Sequence, residues 1–430
     1  MFVLFLSWTR LKSVMDYRSN YTSRLLRCIV MLLFLIGTAS AGYAQNKYKK
    51  SAVIKEIRSN MKGKAYGKVL DNVNNAMRQF PEFATIDPEY YYYSIQANQA
   101  LALDEEKKMY LNQKADTLKY FNYIYSIFTD GLRCDSLSNI PDEKGRVVNH
   151  YHKPIASMFA ANIGKLPAGV KFTFLKKDYT RAYSYADMFI QLTSDSTAYQ
   201  LNAPSATDVS MMSAFAVLSA YAQRNYSRAI QYIDAALSEN TRREQLLEIA
   251  CRCYDQMGDT VRLEECLRDG VDHYATNYFF LSLVKLYNDQ RRYTDVLTLT
   301  NKMLQIDSRN RDLWFIRGKE EAYLEREDDA LQSFTTATEI MMDDAESYSA
   351  IGNIYLNMSR RAYEQQQGLS GKPLQNKKTE LHNLYLKSKA AFESARQHRP
   401  QDTALWLAGL KELYFKLNMG KELKTLENIK

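Results

Sequence analysis

Apolar and polar positions follow a helical period in the second half of the chain. Residues 312–340 read DLWFIRGKEEAYLEREDDALQSFTTATEI, where five apolar or small residues stand out among charges: Trp314, Gly318, Ala330, Phe334 and Ala337. The last three are four and three positions apart, which is the spacing of one helix face. The stretch therefore predicts two amphipathic helices joined by a tight turn.

This pattern recurs with a period of 34 residues. Phe280, Trp314 and Tyr348 lie 34 positions apart, and so do Gly318 and Gly352. A single helix hairpin cannot bury its own apolar face, so hairpins of a common period must stack against one another. The period therefore predicts an array of helix hairpins.

The residue types predict how the helices pack. Only Gly or Ala leaves room for a facing backbone where two helices approach closely. We expect Gly318 and Ala330 at that approach, and we expect Trp314 and Phe334 to fill the gaps between neighbouring hairpins.

These residues resemble the signature of the tetratricopeptide repeat (TPR) family in kind and spacing. The resemblance is strongest over residues 277–352, and Pro400 matches the family's helix-ending proline. It implies an all-α fold, a TPR-like αα superhelix (a right-handed solenoid of antiparallel helix hairpins) whose concave face holds partners. The chain after residue 44 also resembles exported TPR proteins of the Bacteroidetes type.

Weaker copies extend the array on both sides. We predict a TPR-like array over residues 141–430, in which the stretch from Tyr226 through Ala236 forms one second helix. A long-helix insertion around residues 359–386 is expected to end in an exposed tip at residues 368–376. Residues 45–140 have apolar positions three to four apart without a clear repeat, which predicts an N-terminal helical extension.

Composition agrees with a helical protein. The 430 residues include 16 Gly and 8 Pro against 32 Tyr, and helices tolerate neither Gly nor Pro well in their interiors.

The first residues are typical of a secretory signal peptide. Arg24 and Arg27 precede the apolar run IVMLLFLI at residues 29–36, and the small-residue stretch GTASAGYAQ follows it. A basic head, a short apolar centre and small residues before a cleavage point define such a leader. We predict a signal peptide over residues 1–44.

Cleavage is expected after Ala44, with Ala41 as the alternative, and either Met1 or Met15 is the start. Cys28 lies before the apolar run and no Cys closely follows it, so no lipid-anchored N-terminus is expected. The mature protein is expected to be exported and soluble, in the periplasm or associated with the cell envelope, without a membrane span.

The net charge bears on which class of partner is expected. Removing residues 1–44 lowers the net charge from +8 to +4, and without a dense Lys/Arg block no nucleic-acid partner is expected.

Four cysteines follow the leader: Cys134, Cys251, Cys253 and Cys266. They are either small buried hydrophobes or include a Cys253–Cys266 disulfide. Their spacing does not match a zinc site.

No catalytic motif is present. The chain lacks a phosphate-binding loop, HExxH and GxSxG, and His150 and His152 are interpreted as surface or packing residues. Three acid pairs are expected to be solvated near helix ends, where they complement the helix dipole: Glu320/Glu321, Asp328/Asp329 and Asp343/Asp344. We therefore predict no enzyme activity and no cofactor or metal.

The candidate site is the concave face of the first helices. Lys285, Lys319 and Asn353 recur there at steps of 34 residues, and Lys411 is expected to fall in the same register. A ladder of ammonium and amide groups suits a carboxylate or an acidic segment, while Phe315 and Tyr323 can add apolar contact. The alternative interpretation is that these lysines are simply solvated.

The leading hypothesis is an exported, non-catalytic scaffold that binds a protein or peptide in its groove. The alternative is a glycan-handling accessory protein of the cell envelope, which would need an exposed aromatic platform around Tyr90 to Tyr93. An enzyme with its site in residues 46–178 would need a pocket that brings His150 or His152 beside a carboxylate.

Overall fold

The computed structural model describes residues 51–81, 87–141, 145–238, 241–274, 276–427 and 429. These residues form helices and connecting turns, with no β-strand among them, so the predicted all-α, TPR-like hairpin fold is confirmed. They fall into two compact units that divide between Thr260 and Val261. The predicted signal peptide lies outside the described residues, and the predicted boundary at residue 140 remains a prediction.

The N-terminal unit contains the helices α1 to α11. In chain order they are residues 51–62 (α1), Tyr66–Gln79 (α2), Pro88–Tyr110 (α3), Thr117–Ser138 (α4), His152–Asn162 (α5), Leu166–Leu175 (α6), Tyr179–Ser194 (α7), Ala206–Ala222 (α8), Tyr226–Ile230 (α9), Ile233–Ala236 (α10) and Arg243–Met257 (α11).

The first core cluster of this unit joins α1, α2 and α3. Ile57 of α1, Val69 of α2 and Tyr90 of α3 are fully buried in it. Further along, the predicted second helix after Tyr226 is divided at residues 231–232 into α9 and α10. Ala229 and Ala236 are both fully buried, so the apolar face continues across the break.

The half-buried carboxyl group of Asp130 links α3 and α4. Ser94 Oγ donates a hydrogen bond to Asp130 Oδ2 over 2.6 Å. Burial raises the pKa of Asp130 to about 6, although the Ser94 hydrogen bond lowers it in part. Asp130 therefore keeps its proton in the folded state at pH values where the unfolded chain has lost it.

This shift predicts a pH-dependent gain from Asp130→Asn. As pH rises from about 4 to about 6, the unfolded chain binds fewer protons than the folded one, so Asp130 progressively destabilises the fold. Asparagine keeps an acceptor for Ser94 without the charge. We expect the variant to be more stable than wild type by about 1–2 kcal/mol at pH 8, and nearly equal to it at pH 4. Urea unfolding at both pH values measures the difference, and an equal effect at both would contradict the assignment.

The C-terminal unit contains the remaining helices. They are Thr260–His273 (α12), Asn277–Asp289 (α13), Tyr293–Ile306 (α14), Arg311–Tyr323 (α15), Glu327–Ile340 (α16), Ala345–Glu364 (α17), Gly371–His398 (α18), Leu407–Lys416 (α19) and Gly420–Leu426 (α20). The repeat is visible in the turns, because Arg291 and Glu325, 34 positions apart, both adopt a left-handed φ of +58°.

Glycine makes room for a phenylalanine ring inside the hairpins α15/α16 and α17/α18. A Cβ added to Gly318 of α15 would lie 2.9 Å from the ring of Phe334 on α16, and one added to Gly352 would lie 2.9 Å from Phe392. The sequence-based explanation for Gly318 was therefore wrong in its physical reason, because the space is taken by a side chain and not by the facing backbone. Phe334 and Phe392 are nearly fully buried.

The prediction for Trp314 also needs correction. Trp314 is half-buried, and its indole Nε1–H donates to the Ser308 carbonyl in the loop before α15 over 2.9 Å. The Arg317 guanidinium lies 5.1 Å from the ring centroid. This tryptophan thus ties its helix to the preceding loop, whereas Phe334 packs both in its own hairpin and against Ile354 of the next one.

The pair α17/α18 is longer than the other hairpins. Its helices have 20 and 28 residues, against 13 and 14 for α15 and α16. Residues 368–376 are exposed apart from the half-buried Leu374, and α18 already begins at Gly371. The extra turns pack through Ala362, Leu381 and Leu384.

An ion-pair network joins the starts of α15 and α17. Arg311, only 14% exposed, pairs with Asp344 and, over 2.9 Å, with Glu346, and Asp344 has no exposed side-chain surface. Asp344 Oδ1 also accepts from the Ser347 backbone N–H and caps α17. Burial alone would raise the pKa of Asp344, but the hydrogen bonds from Arg311 and Ser347 outweigh it and lower the pKa overall.

Candidate functional site

The face built by the first helices of the C-terminal unit carries the predicted binding residues. Lys285 on α13, Lys319 on α15 and Asn353 on α17 are all exposed. They occupy the same position in three consecutive repeats. We call the set Lys285, Lys319, Asn353, Lys411, Phe315 and Tyr323 the first-helix face.

The three polar groups differ in how much of their bonding capacity is used. Lys285 Nζ lies 3.5 Å from Asp289 Oδ2 on the same exposed helix surface, and the Asn353 amide donates to the Ser349 carbonyl over 2.9 Å. Among the described residues Lys319 has no ion-pair partner. Lys319 is therefore the most available cation of the three.

Two aromatic residues flank Lys319. Phe315 is half-buried, with its ring centroid 5.6 Å from that of Phe334 and the Arg311 guanidinium 4.7 Å away. Tyr323 is 57% exposed and stacks on Tyr293 with centroids 5.0 Å apart. Phe315 is held by the core, while Tyr323 offers an exposed ring surface on a fixed support.

Lys411 is the residue predicted to continue the series in the last hairpin. It is half-buried on α19, five residues after Trp406, as Lys319 lies five residues after Trp314. The Trp406 indole donates to the Arg399 carbonyl over 3.1 Å, as Trp314 does to Ser308. Both indoles thus donate to a carbonyl that precedes them in the chain, and the common register of Lys411 with the other three residues remains a prediction.

The sequence interpretation missed two features of this face. Leu281 is 50% exposed and lies 34 positions before Phe315, so the repeat itself could have identified it. Below the face, the Asn288 amide of α13 donates to Glu320 Oε1 of α15 over 3.0 Å, and burial raises the pKa of Glu320.

The prediction that all three acid pairs are solvated was therefore wrong in part. Glu320 and Glu321 are 1% and 3% exposed and Asp344 is fully buried, whereas Asp328 and Asp329 lie exposed in the first turn of α16 as expected. Glu321 accepts from Ser333 Oγ over 2.6 Å and from Arg317 Nε over 2.9 Å. The buried glutamates connect helices.

One imidazole does lie beside a carboxylate in the N-terminal unit. His152 Nδ1 is 2.9 Å from Asp135 Oδ1, and Asp135 also accepts from Asn149 Nδ2 over 2.8 Å and from the Tyr199 hydroxyl over 3.0 Å. Within the described residues the His152 ring has no second hydrogen-bond partner. The arrangement fixes α5 and the loop at Tyr199 to α4.

The tyrosine run does not form a stacking platform. Tyr90 is fully buried, and Tyr91, Tyr92 and Tyr93 are half-buried. Tyr92 packs on Tyr151 with centroids 4.7 Å apart. A sugar ring would need an exposed aromatic face, and none of the four provides one.

The described residues were also compared with the requirements of a metal site, a disulfide bond and a membrane-spanning helix. No group of three His, Cys, Asp or Glu side chains among them is placed to hold a metal ion.

None of the cysteines among the described residues is in a disulfide bond. Cys134, Cys251 and Cys253 are buried, and burial raises the pKa of Cys134 to about 12. None of the described helices has the length and apolar character needed to cross a membrane.

Helix hairpins with a 34-residue period, glycine–phenylalanine contacts and a repeated first-helix face define an all-α protein with a TPR-type fold. No protein-family model and no curated protein matches the chain.

Several solved structures are similar to it. One is the C-terminal part of a TPR repeat-containing protein from Cytophaga hutchinsonii, with 14% identity over 61% of this chain and 96% of that chain and a TM-score of 0.38. A TPR repeats protein from Bacteroides fragilis has 12% identity over 59% and 98%, with a TM-score of 0.31. YrrB, described as a TPR protein with an unusual peptide-binding site, has 14% identity over 46% and 91%, with a TM-score of 0.32.

Proposed function

We propose that this protein is an exported, non-catalytic scaffold that binds a protein or peptide partner on its first-helix face. The observation that carries the proposal is the repetition of exposed groups at one position of consecutive repeats: Lys285, Lys319 and Asn353. A side chain that only fills space would be buried at such a position. These three face solvent on helices whose other faces form the core.

The chemistry of the face favours an acidic or carboxylate-bearing segment. Lys319 has an available ammonium group, and Lys285 is held only by a 3.5 Å contact to an exposed aspartate, which is weak in water. Exposed apolar surface at Leu281 and Tyr323 adjoins the two lysines along their helices. An extended acidic peptide with one or two apolar side chains would satisfy both kinds of surface.

Non-catalytic binding is supported by the chemistry of the described residues. The Asp135 carboxylate beside His152 also accepts hydrogen bonds from Asn149 and Tyr199, so the pair holds loops in place. Tyr90 is fully buried and Tyr91 to Tyr93 are half-buried, which removes the structural support for the glycan-handling alternative.

Charge reversal tests the proposal. In a capture experiment from cell-envelope extract with mass spectrometry, Lys285→Glu/Lys319→Glu is compared with wild type and with Lys372→Glu/Lys378→Glu. The control changes two exposed lysines on α18 by the same charge. We expect specific partners to be retained by wild type and control and reduced at least about tenfold by the face variant, since like charges oppose an acidic partner. Retention of every partner by the face variant would contradict the proposal.

A further inference from the structure

Positive charge is concentrated in one short stretch of the chain. Residues 47–68 contain eight Lys or Arg and one acid, Glu56, a net charge of +7. Residues 45–430 together carry only +4, so the chain after residue 68 has a net charge of −3. The expectation that the chain has no dense Lys/Arg block therefore does not hold for residues 47–68.

The basic residues of α1 lie on one face of the helix. Lys55, Arg58 and Lys62 are exposed at spacings of three and four, while Ile54 and Ile57 on the other side are buried in the core cluster with Val69 and Tyr90. Successive turns therefore stack the basic groups along one stripe. Because the apolar face of α1 is already packed, this helix is not available for insertion into another apolar environment.

The basic stripe borders an open surface depression of about 650 Å³ lined by Lys55, Arg58, Ser59, Met61, Lys62 and Tyr93. Arg58 is fixed there, with Nη2 2.8 Å from Glu89 Oε1 and Nε 2.8 Å from the Tyr93 hydroxyl. Within the described residues no acid pairs with Lys55, Lys62, Lys64 or Lys68. These four ammonium groups thus lie exposed without an ion-pair partner among the residues that the structure describes.

We propose that this basic surface of the N-terminal unit docks on an anionic phospholipid surface through the phosphate groups of its lipids. Basic residues near such a membrane gain free energy from its negative surface potential without entering the hydrocarbon. Because the surface is open, it matches a plane of charges better than a single buried anion. In sequence, the basic block begins at Lys47, eleven residues after the apolar run at residues 29–36. The block therefore follows the predicted cleavage point after Ala44 and belongs to the predicted mature chain.

Two other polyanions fit the surface less well. Single-stranded nucleic acid binds by stacking bases on exposed aromatic rings, whereas the half-buried Tyr93 has its hydroxyl engaged by Arg58 and Glu89. An acidic peptide of the kind proposed for the first-helix face would also need exposed apolar surface, whereas Ile54 and Ile57 of α1 are buried.

Vesicle sedimentation with the full chain tests the proposal. The probes are vesicles of phosphatidylcholine alone and of equal parts phosphatidylcholine and phosphatidylglycerol. The ratio of the two binding constants is the readout, because any binding that does not depend on lipid charge contributes equally to both. The test variant is Lys55→Glu/Lys62→Glu, and Lys372→Glu/Lys378→Glu is the matched control, with circular dichroism to verify the fold.

We expect wild type and control to bind the anionic vesicles at least about tenfold more tightly than neutral ones, and the test variant to lose this preference. Raising the salt from about 0.1 M to about 1 M should also abolish it, because the Debye length falls from about 10 Å to about 3 Å. An unchanged preference in the test variant would overturn the proposal. So would tighter binding of wild type to duplex DNA or polyglutamate at equal charge concentration. Lys285→Glu/Lys319→Glu should keep the preference, so this test is independent of the proposed function.

Discussion

Replacing Phe334 with alanine is expected to lower the free energy of unfolding of the C-terminal unit by about 3–5 kcal/mol. The ring is 1% exposed, fills the space above Gly318 and contacts the next hairpin through Ile354. Its removal leaves a cavity shared by two hairpins, which neither can close alone. Urea unfolding monitored by circular dichroism measures the loss.

A matched control and a coupling test make this prediction specific. Ile306→Ala, at a side chain that is 75% exposed, should change stability by less than about 0.5 kcal/mol. Gly318→Ala should destabilise the wild-type protein, because its methyl group would lie 2.9 Å from the Phe334 ring. In a Phe334→Leu background that penalty should shrink, since contacting residues are not additive. Fully additive effects would show that the glycine and the ring do not share this space.

Arg311→Met is expected to cost about 3–5 kcal/mol at pH 7.5, because it leaves the buried carboxylate of Asp344 without its partner. Asp344 has no exposed side-chain surface and is held by Arg311 through two nitrogens. The substitution also leaves Glu346 with Arg399 alone, at 3.0 Å. Chemical denaturation compares the variant with wild type.

The sign of the pH dependence follows from Asp344. The pKa of Asp344 is lowered in the folded wild-type protein. Its charged form therefore stabilises the fold at pH values above the pKa it has in the unfolded chain, and this stabilisation is lost as the pH falls through the pKa it has in the folded state. Without Arg311 the carboxyl group protonates readily, so the deficit of the variant should narrow below about pH 4. Arg361→Met is the control, since Arg361 is 51% exposed beside Glu327, and it should cost at most about 1 kcal/mol. Equal losses for both variants would contradict the special role of the buried pair.

The sequence predicted the helical hairpins because a 34-residue period and one-sided apolar faces depend only on local spacing. It also indicated that Gly318 and Phe334 matter. It could not assign them as partners, because the choice between a facing backbone and a facing ring depends on how the two helices are set against each other.

The polar network was harder to predict. Glu320, Glu321 and Asp344 look like surface acids in the sequence, and their burial depends on donors that arrive from other helices: Asn288, Ser333 and Arg311. The first-helix face could be predicted as a set of positions. The sequence could not predict which groups of this face are available to a partner, because contacts such as Lys285 with Asp289 and Tyr323 with Tyr293 arise only in the folded chain.

Hydrogen–deuterium exchange of the full chain, free and bound to a captured partner, tests the central claim most directly. The claim is that the first helices of the repeats form the binding face. We predict that binding slows exchange in α13, α15 and α17, and that α14 and α16 are little changed. Protection confined to α14 and α16, or to the N-terminal unit, would contradict the claim.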